Sequence, residues 1–300
     1  MTPSAGLCNP ATAETLRRNV ISHSGGRAYV QGMTRILALA LALLPATLLP
    51  CGAEVLHQDD IVKAELLPGW RESDGRQMAA LHLQLRDEWK TYWRAPGDAG
   101  VPPEFDWSGS ENLASVRPIW PRPDLFDFQG MQTIGYKHSL VLPLEVTPLD
   151  PSKPVVLRAS VDLGLCKDIC VPAQLVLGDD LPVPGAPDPL IAAALGNLPQ
   201  EGSSAGLVDL ACSTAPIKDG LRVTARMTLP QGIGPETVVM EPEAPVWVSD
   251  ATVRREGDVL IAVADFVPGP GQAYDFTSET LRLTVLDEAR AVEVTGCPLR

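Results

Sequence analysis

The chain has 300 residues, with 29 prolines, 25 glycines, six cysteines and a formal net charge of −13. That length accommodates two domains, each with its own core, and the prolines and glycines follow no period, which excludes collagen-like or simple repetitive structure. An excess of acid without clustered Lys and Arg excludes nucleic acid as a partner, because a phosphate backbone needs a basic footprint.

Residues 1–32 carry no readable motif and are read as a non-native upstream extension, because Met33 opens a complete export signal of its own. From there the chain reads MTRILALALALLPATLLPCGA, with basic Arg35, an apolar run through Leu49 and small residues ending at Ala53. This is the grammar of a signal peptide over 33–53, cleaved after Ala53. Pro45, Pro50 and the immediately following Glu54 argue against a permanent anchor, and Pro50 is a poor neighbour for lipid attachment at Cys51. Cleavage removes Cys8 and Cys51 and leaves Cys166, Cys170, Cys212 and Cys297, an even set bound for an oxidising compartment.

Between Glu54 and Leu181 no helical periodicity of useful length occurs, whereas apolar or alternating runs bounded by Pro, Gly and Asp recur. Strands are expected at Val62 to Leu66, Gln77 to Leu85, Leu113 to Pro118, Ser139 to Glu145, Val155 to Leu163 and Ala173 to Leu177. Together they make residues 54–182 one antiparallel β-sandwich. The stretch TYWRAPGDAGVPPEFDW is expected to be an ordered loop rather than a core strand, given its three prolines. Residues 183–205 read as a linker with a short helix from Asp188 to Leu195. Beyond it, Leu221 to Leu229 and Leu281 to Leu286 alternate, and further strands fall near Val238, Val246, Val253, Val259 to Val267 and Val292. A second sandwich over 206–300 follows, so the fold class is all-β with two immunoglobulin-like antiparallel sandwiches in tandem.

Four cysteines allow three connectivities, of which Cys166 with Cys170 and Cys212 with Cys297 is the natural choice. Chain entropy separates their roles. The long loop closed by Cys212 and Cys297 makes that bond worth about 4 to 5 kcal/mol, against about 2 for the short one. Cys212 is expected to end the first strand of the second sandwich and Cys297 the last, so the long bond is a structural staple. Cys166 and Cys170, in DLGLCKDICVPAQ, lie across a tight connection, and a short, exposed ring is the kind that exchanges. Two alternatives stand beside this: a small structural clip, or a soft-metal site for monovalent copper that recruits His138 or Met131. No histidine has ligand spacing to the cysteines, so no metal and no cofactor is assigned.

These residues resemble the periplasmic N-terminal domain of the thiol:disulfide interchange protein DsbD family, and more closely its ScsB-like branch. The resemblance spans roughly Glu54 to Leu177 and rests on Cys170-Val171-Pro172 and on LFDFQGMQTIGYKHSLVLPL, similar to that family's cap loop. It implies that Cys166 and Cys170 are catalytic, with Cys170 attacking and Cys166 resolving. It also implies that Phe128, beside Asp127, caps the pair and that Tyr92 and Trp93 in TYWR form the site wall. DsbD spaces its cysteines by five residues and this chain by three, which favours the ScsB-like branch. No apolar run of membrane-spanning length follows Ala53, so the resemblance further implies a separate membrane thiol electron donor of DsbD or CcdA type. The implied substrate is an exported thioredoxin-fold or other disulfide-containing protein. The expected function is a periplasmic thiol-disulfide interchange relay, a thiol:disulfide oxidoreductase of the protein-disulfide reductase type. The alternative is a non-catalytic copper-handling or scaffold binding protein.

Overall fold

The computed structural model describes residues 57–300 except Asp98, Gln129, Ala273 and the side chain of Phe128. The expected upstream extension, signal peptide and cleavage point lie outside the described residues.

Ten strands build the first sandwich. In chain order they are β1 (Val62–Arg71), β2 (Gln77–Leu85), β3 (Lys90–Tyr92), β4 (Glu104–Asp106), β5 (Leu113–Pro118), β6 (Asp124–Phe128), β7 (Met131–Lys137), β8 (Ser139–Pro148), β9 (Val155–Cys166) and β10 (Cys170–Leu181). One sheet runs β1, β2, β8, β5 and the other β10, β9, β3, β7, β6, with β4 also paired to β9. β9 shows why these residues choose strands. Val155, Leu157, Ala159, Val161, Leu163 and Leu165 are buried, while Arg158 and Asp162 between them are exposed. With a period of two, one face enters the core and the other faces outward. From the opposite sheet Leu81, Leu83, Leu142 and Leu144 close the core.

A seven-residue helix, α1 (Pro189–Leu195), follows. Asp188 caps it by accepting from the backbone N–H groups of Leu190 (2.7 Å) and Ile191 (3.2 Å), and Pro189 suits its first turn. Ile191 packs on Met78 and Ala80, so the segment expected to be a linker is docked on the outside of the first sheet.

The second sandwich pairs a sheet in the order β11 (Gln200–Glu201), β19 (Ala291–Thr295), β18 (Arg282–Leu286), β14 (Thr237–Glu241) with one in the order β12 (Asp209–Ile217), β13 (Gly220–Thr228), β17 (Val259–Val267), β15 (Trp247–Val248). The short strand β16 (Thr252–Glu256) also pairs with β17. Val223, Ala225, Met227, Leu260 and Phe266 fill its core, Phe266 lying against Tyr274 and Phe276. The structure is thus all-β apart from α1 and one short 3-10 turn among the described residues, in two immunoglobulin-like sandwiches whose strands pair antiparallel except for the two-residue β11, which runs parallel to β19.

Residues Glu54 to Arg300 form one compact unit. Leu286 and Ala291 of the second sandwich join the core cluster of the first. Arg94 donates to both carboxylate oxygens of Glu241 (2.8 and 2.9 Å) and to Glu293 (2.6 Å), and stacks on the Trp93 ring at 4.1 Å. Burial works against the charged guanidinium, yet the hydrogen bonds and charges of Glu241 and Glu293 prevail and hold its pKa above the ordinary value.

Two local expectations are corrected. Thr91 and Tyr92, assigned to a loop, belong to β3, a strand inside the sheet between β9 and β7, and Glu104, Phe105 and Asp106 of the same stretch pair with β9 as β4. β3 is only three residues long, and so short a run carries no alternation to read. Cys212 does not end its strand: β12 continues to Ile217. An edge strand tolerates Pro216, which would break a central one.

Candidate functional site

β9 and β10 form a hairpin in unbroken register from Val155 opposite Leu181 to Cys166 opposite Cys170. The two cysteines are therefore the last paired residues before the turn Lys167-Asp168-Ile169, which closes with a Lys167 N–H to Ile169 carbonyl bond of 3.0 Å. Directly opposite residues share a face of the sheet, and Cys166 and Cys170 are disulfide-bonded. Their face is the outer one, shared with Arg158, Asp162 and Gln174, since Leu163, Leu165, Ala173 and Leu175 take the core positions. The two differ in access. Cys166 is 0% exposed, whereas Cys170 lies open at the surface.

Cys166 is covered by Tyr92. The Tyr92 hydroxyl donates to Cys166 Sγ at 2.9 Å and lies 3.5 Å from both Cys170 Sγ and the Ala99 carbonyl oxygen. Burial pushes this phenol above its ordinary value, so it keeps its proton and remains a donor. Gly164 makes the approach possible: a Cβ there would stand 3.1 Å from the Tyr92 ring and 3.2 Å from Val101. On the open side a groove of about 660 Å³ runs between Val101 and Pro102 on one wall and Cys170, Val171 and Pro172 on the other.

The same face carries Lys90, the cross-strand partner of Cys166. Its ammonium donates to Thr133 Oγ1 at 3.2 Å and sits 5.4 Å from the centre of the Phe126 ring, which Lys137 approaches to 4.5 Å. Burial first, then the like charge of Lys137, lower the pKa of Lys90, while Asp127 opposes them. At the turn, Lys167 is paired with Glu88 at 2.5 Å. Lys90 and Gly164 were not singled out by sequence. A glycine inside a strand was the available signal for close approach, and a lysine amid TYW aromatics was the other.

The remaining site residues fall in several places. Trp93 does not stand beside Tyr92: consecutive strand residues face opposite ways, and Trp93 is buried in the core cluster, its indole nitrogen without a hydrogen-bond partner. Asp127 lies on β6 and accepts from the Gly130 N–H at 3.2 Å, bracing the β6–β7 connection. Phe128 ends β6, opposite Met131, and its side chain lies outside the described residues. Cys212 and Cys297 are bonded and both buried in the second core. Around them the Cys212 N–H donates to the Pro298 carbonyl (2.8 Å) and the Arg300 N–H to the Cys212 carbonyl (2.9 Å). Among the described residues no group of three or more His, Cys, Asp or Glu is placed to hold a metal ion. A larger cleft, about 810 Å³, lies elsewhere, between the sandwiches around Arg94 and Trp247. Its lining holds no cysteine, so the chemistry belongs to the smaller groove.

Comparisons with known proteins agree with this geometry. Residues 54–178 match the family described as thiol:disulfide interchange protein DsbD, N-terminal. The N-terminal periplasmic domain of ScsB from Proteus mirabilis is 25% identical and superposes with a TM-score of 0.60, over 82% of this chain and 97% of that one. The reduced N-terminal domain of DsbD from Neisseria meningitidis is 13% identical, with a TM-score of 0.28 over 44% of this chain and 92% of that one, and carries no argument here. No curated protein matches the chain. The match places a cysteine-bearing hairpin and the aromatic over it within a family named for thiol-disulfide interchange, and the ScsB likeness extends through the second sandwich. Residues 54–178 thus match the family of DsbD N-terminal domains, and the chain is similar over both sandwiches to the ScsB domain.

Proposed function

We propose that this chain is a periplasmic thiol-disulfide relay, exported by a signal peptide cleaved after Ala53. A dithiol on a membrane carrier of DsbD or CcdA type reduces the Cys166–Cys170 bond, giving up two electrons and two protons and becoming a disulfide itself. The reduced pair then acts on an exported thioredoxin-fold or other disulfide-containing protein. The Cys170 thiolate attacks one substrate sulfur, forming a mixed disulfide, and the displaced sulfur takes up a proton. The Cys166 thiolate then attacks Cys170 Sγ, expels the second substrate sulfur and restores the Cys166–Cys170 bond.

The observation that carries this reading is the difference in access, with Cys170 exposed beside an open groove and Cys166 wholly buried under Tyr92. Attack on a protein disulfide needs a reachable sulfur, while resolution is intramolecular and does not. Phe128, with Asp127 bracing its hairpin, is the cap that keeps oxidants from the reduced pair, and Cys212–Cys297 is structural. ScsB from Proteus mirabilis, the source of the similar domain, is described as having it in the periplasm, which supports the same compartment here.

Trapping tests the assignment. Cys166→Ser, expressed in the periplasm and acid-quenched, should accumulate reducible adducts with partner proteins, because the mixed disulfide has lost its resolving sulfur. Cys170→Ser should capture few. More adducts with Cys170→Ser would reverse the roles, and a reduction potential for the pair below about −300 mV would mark an inert clip instead of a relay. Phe128→Ala should speed oxidation of the reduced pair by small molecules, and an unchanged rate in folded protein would remove the cap.

A further inference from the structure

We infer that the protein whose disulfide meets Cys170 stands on both sandwiches, with its reactive end in the groove beside Cys170 and its flank in the cleft against Trp247. The chemistry of the two recesses calls for a partner that surrounds its disulfide with apolar and basic side chains. What the contact is used for rests on the relay reading above.

The two recesses are neighbours, and one loop walls them both. After β3 the chain passes Arg94, Pro96 and Gly97 along the cleft and Val101 along the groove, while Pro102 lines the two together. That loop is fixed to the first sandwich. The Trp93 N–H donates to the Ile134 carbonyl (3.0 Å), the Ile134 N–H donates to the Pro96 carbonyl (2.9 Å), and the Tyr92 hydroxyl lies 3.5 Å from the Ala99 carbonyl oxygen. Arg94 ties the same loop to Glu241 and Glu293 of the second sandwich. A surface already held in place loses little conformational freedom when a partner settles on it.

Beyond the loop the second sandwich offers Trp247. It sits on β15, a two-residue edge strand, and is 62% exposed, while Val101 on the shared loop is 50% exposed. A large aromatic left in water along a cleft is the residue type that most often anchors a protein contact. The cleft thus adds a second footing to the small one beside the sulfur.

The charges define the surface that fits. Glu104 and Asp162 line the groove directly opposite each other in the β4–β9 pairing, and like charges so placed repel. Asp162 accepts from the Gln174 amide at 3.0 Å, and among the described residues neither carboxylate enters an ion pair. Glu243, in the cleft, enters none there either, and Arg94, the cation in the cleft lining, is already engaged. Lysines or arginines on a partner relieve that repulsion. A second copy of this chain would bring the same carboxylates and a net charge of −13, which opposes self-association.

The test is single-turnover exchange by the reduced full chain, with the Cys212–Cys297 bond intact. One probe is an oxidised thioredoxin-fold protein with leucines and lysines set around its disulfide, and a second carries glutamates in place of the lysines. Every rate is divided by that with hydroxyethyl disulfide, which is too small to span the two recesses. The lysine probe should react at least about tenfold faster than the glutamate probe, with the difference collapsing at about 1 M salt. Trp247→Ala should lower the lysine-probe ratio about tenfold. Glu104→Lys and Glu243→Lys should each lower it about fivefold, and Asp219→Lys, which reverses an exposed charge outside both recesses, by far less. An unchanged ratio in Trp247→Ala overturns the inference, as does an equal loss in Asp219→Lys. So does a dimer in sedimentation that Trp247→Ala dissolves, which gives the cleft to a second copy. Affinity of the lysine probe for the oxidised chain, where no exchange can occur, reads docking alone and should weaken about tenfold in Trp247→Ala. A chain that binds the probe through Trp247 but exchanges with no disulfide loses the relay and keeps the surface. One that exchanges with hydroxyethyl disulfide but is indifferent to Trp247 keeps the relay and loses the surface.

Discussion

At Gly164 the chain gives up a side chain so that the Tyr92 ring can lie against β9 over the buried sulfur. The opposite side of that ring is crowded too, since a Cβ on Gly100 would come within 2.9 Å of it. Gly164→Ala should therefore push the ring off Cys166, costing about 1 to 3 kcal/mol in overpacking and leaving Cys166 open to alkylation after reduction. Urea denaturation together with the rate of thiol labelling checks both, and a stable, unlabelled variant would show that the ring is free to yield. A different residue sets an acid limit. The Ser152 hydroxyl (2.6 Å) and backbone N–H (3.0 Å), then Lys153 (3.0 Å), hold the Asp150 carboxyl down to about 2. A depressed folded-state pKa contributes stability that is fully present above the unfolded value near 4 and is lost as pH falls toward 2. Ser152→Ala should return the Asp150 midpoint toward the ordinary carboxylate range in an NMR titration.

At the scale of elements, the disulfide of the second sandwich joins an edge strand to the last residues of the chain, where the backbone bonds of Cys212 with Pro298 and Arg300 already hold the same junction. Replacing both cysteines by Ser should lower the stability of that sandwich by about 2 to 5 kcal/mol while thiol exchange at Cys166–Cys170 persists. Denaturation followed by Trp247 fluorescence, beside an exchange assay on the folded variant, reads the two effects independently. Apolar or alternating runs bounded by turn residues were legible from sequence: the strands expected at Gln77–Leu85, Leu113–Pro118 and Val259–Val267 match to the residue. Strands whose ends lie on the outer face were read short. The segment after Leu163 holds Gly164 and Cys166, neither of which signals a face, so the continuation of β9 to Cys166 was hidden, and β10 was entered late at Ala173 because Pro172 reads as a break. β3 was missed for its length, and with it the separation of Tyr92 from Trp93, which needs a strand before alternation has any meaning. What sequence could offer at the site was therefore the cysteines and the aromatic. Which sulfur is reachable, and which charge stands across from it, depends on register between segments some 75 residues apart.

Across the whole molecule, the contact of Arg94 with Glu241 and Glu293 is the best-defined polar tie between the sandwiches, beside the Thr237 hydroxyl donating to Gln132 Oε1 at 2.7 Å. Removing Arg94 strands two partly buried carboxylates, at a cost of about 2 to 3 kcal/mol. Arg94→Met should split a single denaturation transition into two, or broaden it, with intrinsic fluorescence and circular dichroism no longer coincident; one sharp transition at the parent midpoint would show that the apolar contact of Leu286 and Ala291 suffices. The position of the reactive bond matters at this scale as well. In antibody domains a disulfide bridges the two sheets through the core, so breaking it disturbs the packing of the whole sandwich. Here the bond lies on the outer face, at the turn end of a hairpin with ten further cross-strand pairs between it and the far end. Electrons can enter and leave at that rim while the interior stands still, much as the contact of an accumulator is cycled without opening its case.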